Sequence, residues 1–114
     1  MTAQEIFSYR LYNIRRIRER SRKDVSTGTG FDENTIFYWE KRFRYQPHTP
    51  FKVIIDNLAE YFDVPPSYFS ECRYTEKVGE LLLNPYLDYW VWSGAITYEK
   101  AKELQEILPS TLKN

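Results

Sequence analysis

The chain of 114 residues holds one cysteine, one histidine and four glycines. Each scarcity excludes something. A lone Cys72 rules out an internal disulfide framework and fits a reducing compartment; it reads as a spare thiol beside a linker. His48 is the one histidine and sits in a proline-bounded loop, so there is neither a Cys/His spacing for a metal nor a histidine-based triad. Scattered glycines make no phosphate-cradling loop. No carboxylate pair stands out as an acid and a base. The expectation is therefore no enzyme, no cofactor and no metal. No apolar run approaches the roughly 20 residues that cross a bilayer. The opening residues, MTAQEIFSYR, lack the charged and then apolar regions of a secretory signal. A cytoplasmic protein without membrane association is expected. Strand-type alternation, internal repeats and low-complexity tracts are absent too.

Net charge is also missing, since 16 Lys and Arg balance 16 Asp and Glu. The balance hides an asymmetry. Residues 1–52 carry 11 basic and 6 acidic side chains, a surplus of +5, and residues 53–114 carry 5 and 10, a deficit of −5. Such a division suggests that the first half faces a polyanion and the second faces something else.

What the chain has in plenty is helical periodicity and aromatic side chains. A hydrophobic content of 42% is ordinary for a globular chain. In FSYRLYNIRRIRERS, Phe7, Leu11, Ile14 and Ile17 recur at three- and four-residue steps, with Arg10, Arg15, Arg16 and Arg20 on the other face. Ser21 is placed to cap a second helix, with Asp24 completing a capping box, and Gly28 and Gly30 stop it. Asp32 caps a third helix, expected over Glu33 to Phe43. Pro47 and Pro50 bracket a loop. FKVIIDNLAEYF reads as a fourth helix with Val53, Ile54, Leu58, Tyr61 and Phe62 available to a core, and PSYFS begins a short fifth element. After a compositional boundary near Cys72, TEKVGELLL can form a helix. Asn84, Pro85 and Gly94 bound another, and Thr97 caps a last one that Pro109 ends.

The stretches LYNIRRIRERS, SRKDVS, GFDENTIFYWE, KRFRYQP and IIDNLAEYFDVPPSYF together resemble the XRE-type helix-turn-helix domain of the lambda Cro/repressor superfamily. The likeness covers residues 11–69, about half the chain. It implies an all-α, lambda-repressor-like five-helix bundle over residues 1–71, followed by a C-terminal helical extension over residues 72–114. The family's usual Gln, Leu and Ala are here Arg22, Val25 and Ser26, and its usual Gly is Arg42. The implied function is a sequence-specific, double-stranded DNA-binding transcriptional regulator. The resemblance points to a dimeric repressor of bacterial, phage or mobile-element origin.

In such a unit the second helix enters the major groove with its N-terminal residues toward the base edges. That assigns Glu33, Asn34, Thr35 and Tyr38 to bases. Asn pairs bidentately with adenine, Glu accepts from the cytosine amino group, and Thr meets a thymine methyl. Ser21, Arg22, Lys41, Arg42, Arg44 and Tyr45 are assigned to the phosphate backbone. Ile36 and Trp39 fall on the opposite, core-facing side, and Phe37 stays unassigned. Glu40 is expected to pair structurally with Arg15 or Arg16.

The tail is rich in aromatics. Leu83, Tyr86, Leu87, Tyr89, Trp90 and Trp92 are expected to form a dimer or partner interface. WSGAITYEKAKELQEIL resembles the helical hook with which SinR-type repressors pair with themselves or with a small antagonist. Three alternatives stay open. The tail completes the monomer core; the protein is an antitoxin-like partner whose tail sequesters an antagonist or toxin; or the whole is an interaction-only helical domain.

Overall fold

The computed structural model describes residues 3–41, 51–71, 73–74 and 84–107. All regular structure among them is helical. None of these helices is long and apolar enough to cross a membrane. The chain divides into two compact units, the first ending at Glu71 and the second beginning at Cys72.

The first unit contains α1 (Ala3–Ile17), α2 (Arg22–Thr29), α3 (Glu33–Glu40), α4 (Phe51–Phe62) and the single turn α5 (Ser67–Ser70). Helix α1 packs on α3 and α5, and α2 packs on α3 and α4. Phe7, Leu11 and Ile14 bring the apolar stripe of α1 into the core. Val25, Ile36, Trp39, Ile54, Leu58 and Phe62 meet it from the other helices. Each such side chain contributes about 1.5–3 kcal/mol on burial. Trp39 is held between two edge-on rings, Phe31 at 5.1 Å and Phe7 at 5.9 Å.

The helix ends follow local chemistry. Ser21 Oγ accepts from the Asp24 N–H at 3.0 Å, and the Asp24 carboxylate accepts from the Ser21 N–H at 2.9 Å. Gly30, at φ 84°, takes the left-handed conformation that closes α2. Gly28, expected to stop that helix, instead lies inside it. A Cβ at position 28 would stand 2.1 Å from the Tyr61 ring, so the glycine is needed for close packing of α4. Two other helix ends reach the left-handed conformation without a glycine. Glu19 (φ 54°) ends α1 and Asp63 (φ 56°) ends α4, each with the paired backbone bonds of a Schellman motif.

Three further expectations need correction. Arg10, placed on the solvated basic face, is wholly buried. Its Nη1 donates to the Tyr68 carbonyl at 2.7 Å and to that of Glu71 at 3.1 Å, and its guanidinium lies 4.9 Å above the Tyr68 ring. Val53, offered to the core, is exposed, because Ile54, Ile55 and Leu58 define the buried stripe of α4. Helix α3 ends at Glu40, short of Phe43; Lys41 is its C-cap.

The second unit contains α6 (Pro85–Ser93) and α7 (Tyr98–Ile107), packed on each other. Asn84 caps α6 through bonds from the Tyr86 and Leu87 N–H groups, Pro85 takes its first position, and Gly94 (φ 87°) ends it. Thr97 Oγ1 accepts from the Lys100 N–H at 3.1 Å and caps α7. Asp88, fully buried, accepts from the Tyr74 hydroxyl at 2.5 Å. The Tyr74 ring stacks on Tyr98 at 5.3 Å. Arg73 lies 4.5 Å above the Trp92 ring and donates to the Trp92 carbonyl at 2.7 Å. The expected helix TEKVGELLL lies outside the described residues.

Candidate nucleic-acid interface

Helices α2 and α3 are joined by Gly30, Phe31 and Asp32 alone. That short link contains a glycine, as turns between paired helices often do. It is pinned from both sides. Ser26 Oγ donates to the Phe31 carbonyl at 2.6 Å, the Phe31 N–H donates to Thr29 Oγ1 at 3.3 Å, and Asn57 Nδ2 donates to the Thr29 carbonyl at 3.2 Å. Asp32 then caps α3 by accepting from the Asn34 and Thr35 N–H groups at 2.9 and 3.4 Å.

Within α3 the two faces separate cleanly. Ile36 and Trp39 are buried. Glu33, Asn34, Phe37 and Tyr38 are exposed, Lys41 continues their stripe, and Thr35 is half-buried at its edge. Asn34 presents an amide and Glu33 a carboxylate to solvent, the groups that can meet adenine and the cytosine amino group. Tyr38 is 51% exposed. Ser21 sits at the start of α2 and also faces solvent.

Glu40 organises the back of this surface. Its side chain is 1% exposed, against 14% for Arg15 and 30% for Arg22. Arg15 grips it bidentately, Nε to Oε2 at 2.7 Å and Nη2 to Oε1 at 2.9 Å. Arg22 Nε shares Oε1 at 3.2 Å. One carboxylate thereby ties α1, α2 and α3 together. Arg16 makes no part of that cluster; it lies 4.9 Å above the Tyr12 ring. Arg22, assigned to phosphate, is committed to Glu40 and stacks at 4.8 Å over the Phe37 ring. Lys41 Nζ approaches the same ring at 5.5 Å. Sequence reading missed this use of Phe37. The signal was present: position 37 is one turn from Glu33, away from Ile36 and Trp39.

Arg42, Arg44, Tyr45 and Leu83 lie outside the described residues. The remaining tail residues divide. Leu87 and Trp92 are buried, Tyr89 is half-buried, and Tyr86 and Trp90 are exposed one helical turn apart, with ring centroids 6.4 Å from each other. Among the described residues no cluster of His, Cys, Asp and Glu could hold a metal ion. No protein-family model, curated protein or solved structure matches the chain.

Proposed function

We propose that the first unit is a helix-turn-helix domain of the lambda Cro/repressor type and that the protein regulates transcription by binding duplex DNA in a sequence-specific manner. One observation carries the reading. The α2–turn–α3 unit is locked from behind by Glu40 and Trp39, while the outward stripe of α3 exposes Glu33, Asn34 and Tyr38 to solvent. A rigid helix with a polar, solvent-exposed face suits insertion into a major groove. The surplus of basic residues in the first 52 positions supplies attraction to phosphates.

Pairing of two copies through the second unit would double the site. The exposed Tyr86 and Trp90 of α6 are the residues best suited to that contact. The same pair supports a second reading, an antitoxin-like protein that captures an antagonist or toxin through its tail.

Selection of sites from a random duplex pool at two salt concentrations tests the proposal. An enriched inverted repeat, with half-site centres about one helical turn (roughly 10 base pairs) apart, supports a dimeric regulator. Retention of every duplex without enrichment, lost with salt, would refute sequence-specific recognition. A pull-down that depends on Trp90 and not on Asn34 would shift the function to the tail.

A further inference from the structure

We infer that the Phe37 ring is a base-reading surface that recognises the 5-methyl group of thymine. The inference rests on the reading of α3 as a groove-binding helix. Phe37 is 37% exposed and lies on the same stripe as Glu33, Asn34 and Tyr38. A phenyl ring has no donor or acceptor, so it can distinguish bases only by apolar contact. The major groove offers one apolar group among its base edges, the thymine methyl.

The ring is also held in place. Arg22 stacks over it at 4.8 Å, Lys41 stands at 5.5 Å, and Tyr38 meets it edge-on at 5.7 Å. A side chain fixed by three neighbours loses little freedom on binding, which favours its use as a contact. Arg22 acts here as a positioning residue: its guanidinium is bonded to buried Glu40 and its Cζ lies 4.8 Å from the centre of the Phe37 ring.

The register follows from helix geometry. Phe37 is three residues beyond Asn34, so their Cβ atoms stand about 5–6 Å apart. Bases along one strand are spaced about 3.4 Å. The thymine read by Phe37 therefore lies one or two steps from the base read by Asn34.

The experiment uses the full chain and the duplex recovered by site selection. Each thymine is replaced in turn by deoxyuridine, which removes only the methyl group, and affinity is measured at fixed salt. One thymine per half-site should lose about four-fold in affinity, the value of one buried methyl-sized group. Phe37→Ala should bind the thymine and uracil versions equally, and Phe37→Leu should restore the difference. Retained helicity of both variants by circular dichroism shows that the exposed site tolerates them. A selected duplex with no uracil-sensitive position, or sensitivity unchanged in Phe37→Ala, overturns the inference and leaves groove binding standing. No enrichment of any duplex overturns both.

Discussion

Replacing Glu40 with alanine removes the anion around which three helices are arranged. The structure sets the size of the effect. Arg15 makes two short bonds to a carboxylate that is 1% exposed, and is itself 14% exposed. Taking one partner from a buried pair of this kind costs about 3–5 kcal/mol, because a guanidinium is left buried without its anion. Arg22 is 30% exposed and shares an oxygen already bonded to Arg15. Solvent screens it, so its pair contributes about 0–1 kcal/mol. A unit of this size has a total stability of roughly 3.5–10 kcal/mol. Glu40→Ala should therefore remove about half of it, lowering the midpoint of thermal unfolding by roughly 15–30 °C. Arg15→Ala should follow closely, and Arg22→Ala should lose about 1 kcal/mol or less. Urea unfolding monitored by far-ultraviolet circular dichroism gives all three values, with transitions fitted separately for the two units. A loss below about 1 kcal/mol for Glu40→Ala would refute the reasoning. So would Arg22→Ala and Arg15→Ala costing the same.

Other consequences are testable with the same material. Gly28→Ala should destabilise by about 1–3 kcal/mol through collision with the Tyr61 ring. In a Tyr61→Ala background the same change should instead stabilise by up to about 1 kcal/mol, as alanine does within a helix; the same sign in both backgrounds would exclude the ring as the cause. Ser21→Ala should lose about 1 kcal/mol with its cap, read by urea unfolding. Backbone and side-chain hydrogen bonds with Ser21 hold the Asp24 carboxyl below its ordinary 3.8. A lowered folded-state value contributes stability above the unfolded value and loses it as pH falls through the folded one. Asp24→Asn should therefore flatten the acid limb of the stability curve below about pH 4 and leave its slope at neutral pH unchanged. Asn34→Ala should relax base preference, while Lys41→Ala should weaken all duplexes alike and reduce the salt slope by about 1. Equal loss of specificity from both, measured on matched and mismatched duplexes, would contradict the division between base and backbone contacts.

The elements that could be read from sequence were those whose signals are local. Ser21, Asp32, Asn84 and Thr97 cap the helices that follow them, and Gly30 and Gly94 end theirs. Helix α4 begins and ends with the apolar periodicity of FKVIIDNLAEYF. What escaped depends on partners far along the chain. Arg10 reads as one more surface arginine until Tyr68 and Glu71, 58 and 61 residues later, supply carbonyls to it. Gly28 reads as a stop until Tyr61 closes over it. Glu19 and Asp63 end helices without the residue that usually announces an end. In the candidate interface, the pairing of Glu40 with Arg15 was legible, as was the burial of Ile36 and Trp39. The diversion of Arg22 to Glu40 and Phe37 was not, since it spans 18 residues and needs the folded angle between α2 and α3.

Arg10 also decides how short a working piece of this protein can be. A fragment that stops at Ser70 loses the Glu71 carbonyl, and one that stops at Ser67 loses both acceptors of Nη1. In either case a guanidinium sealed inside the first helix bundle is left with fewer acceptors, and buried polar groups tolerate that poorly. Truncation for expression, or a protease cut near the junction, thus has a sharp threshold at Glu71. A piece cut on its far side keeps both carbonyls that Arg10 Nη1 uses, and one cut on its near side carries a fault into its core from a residue near the opposite terminus.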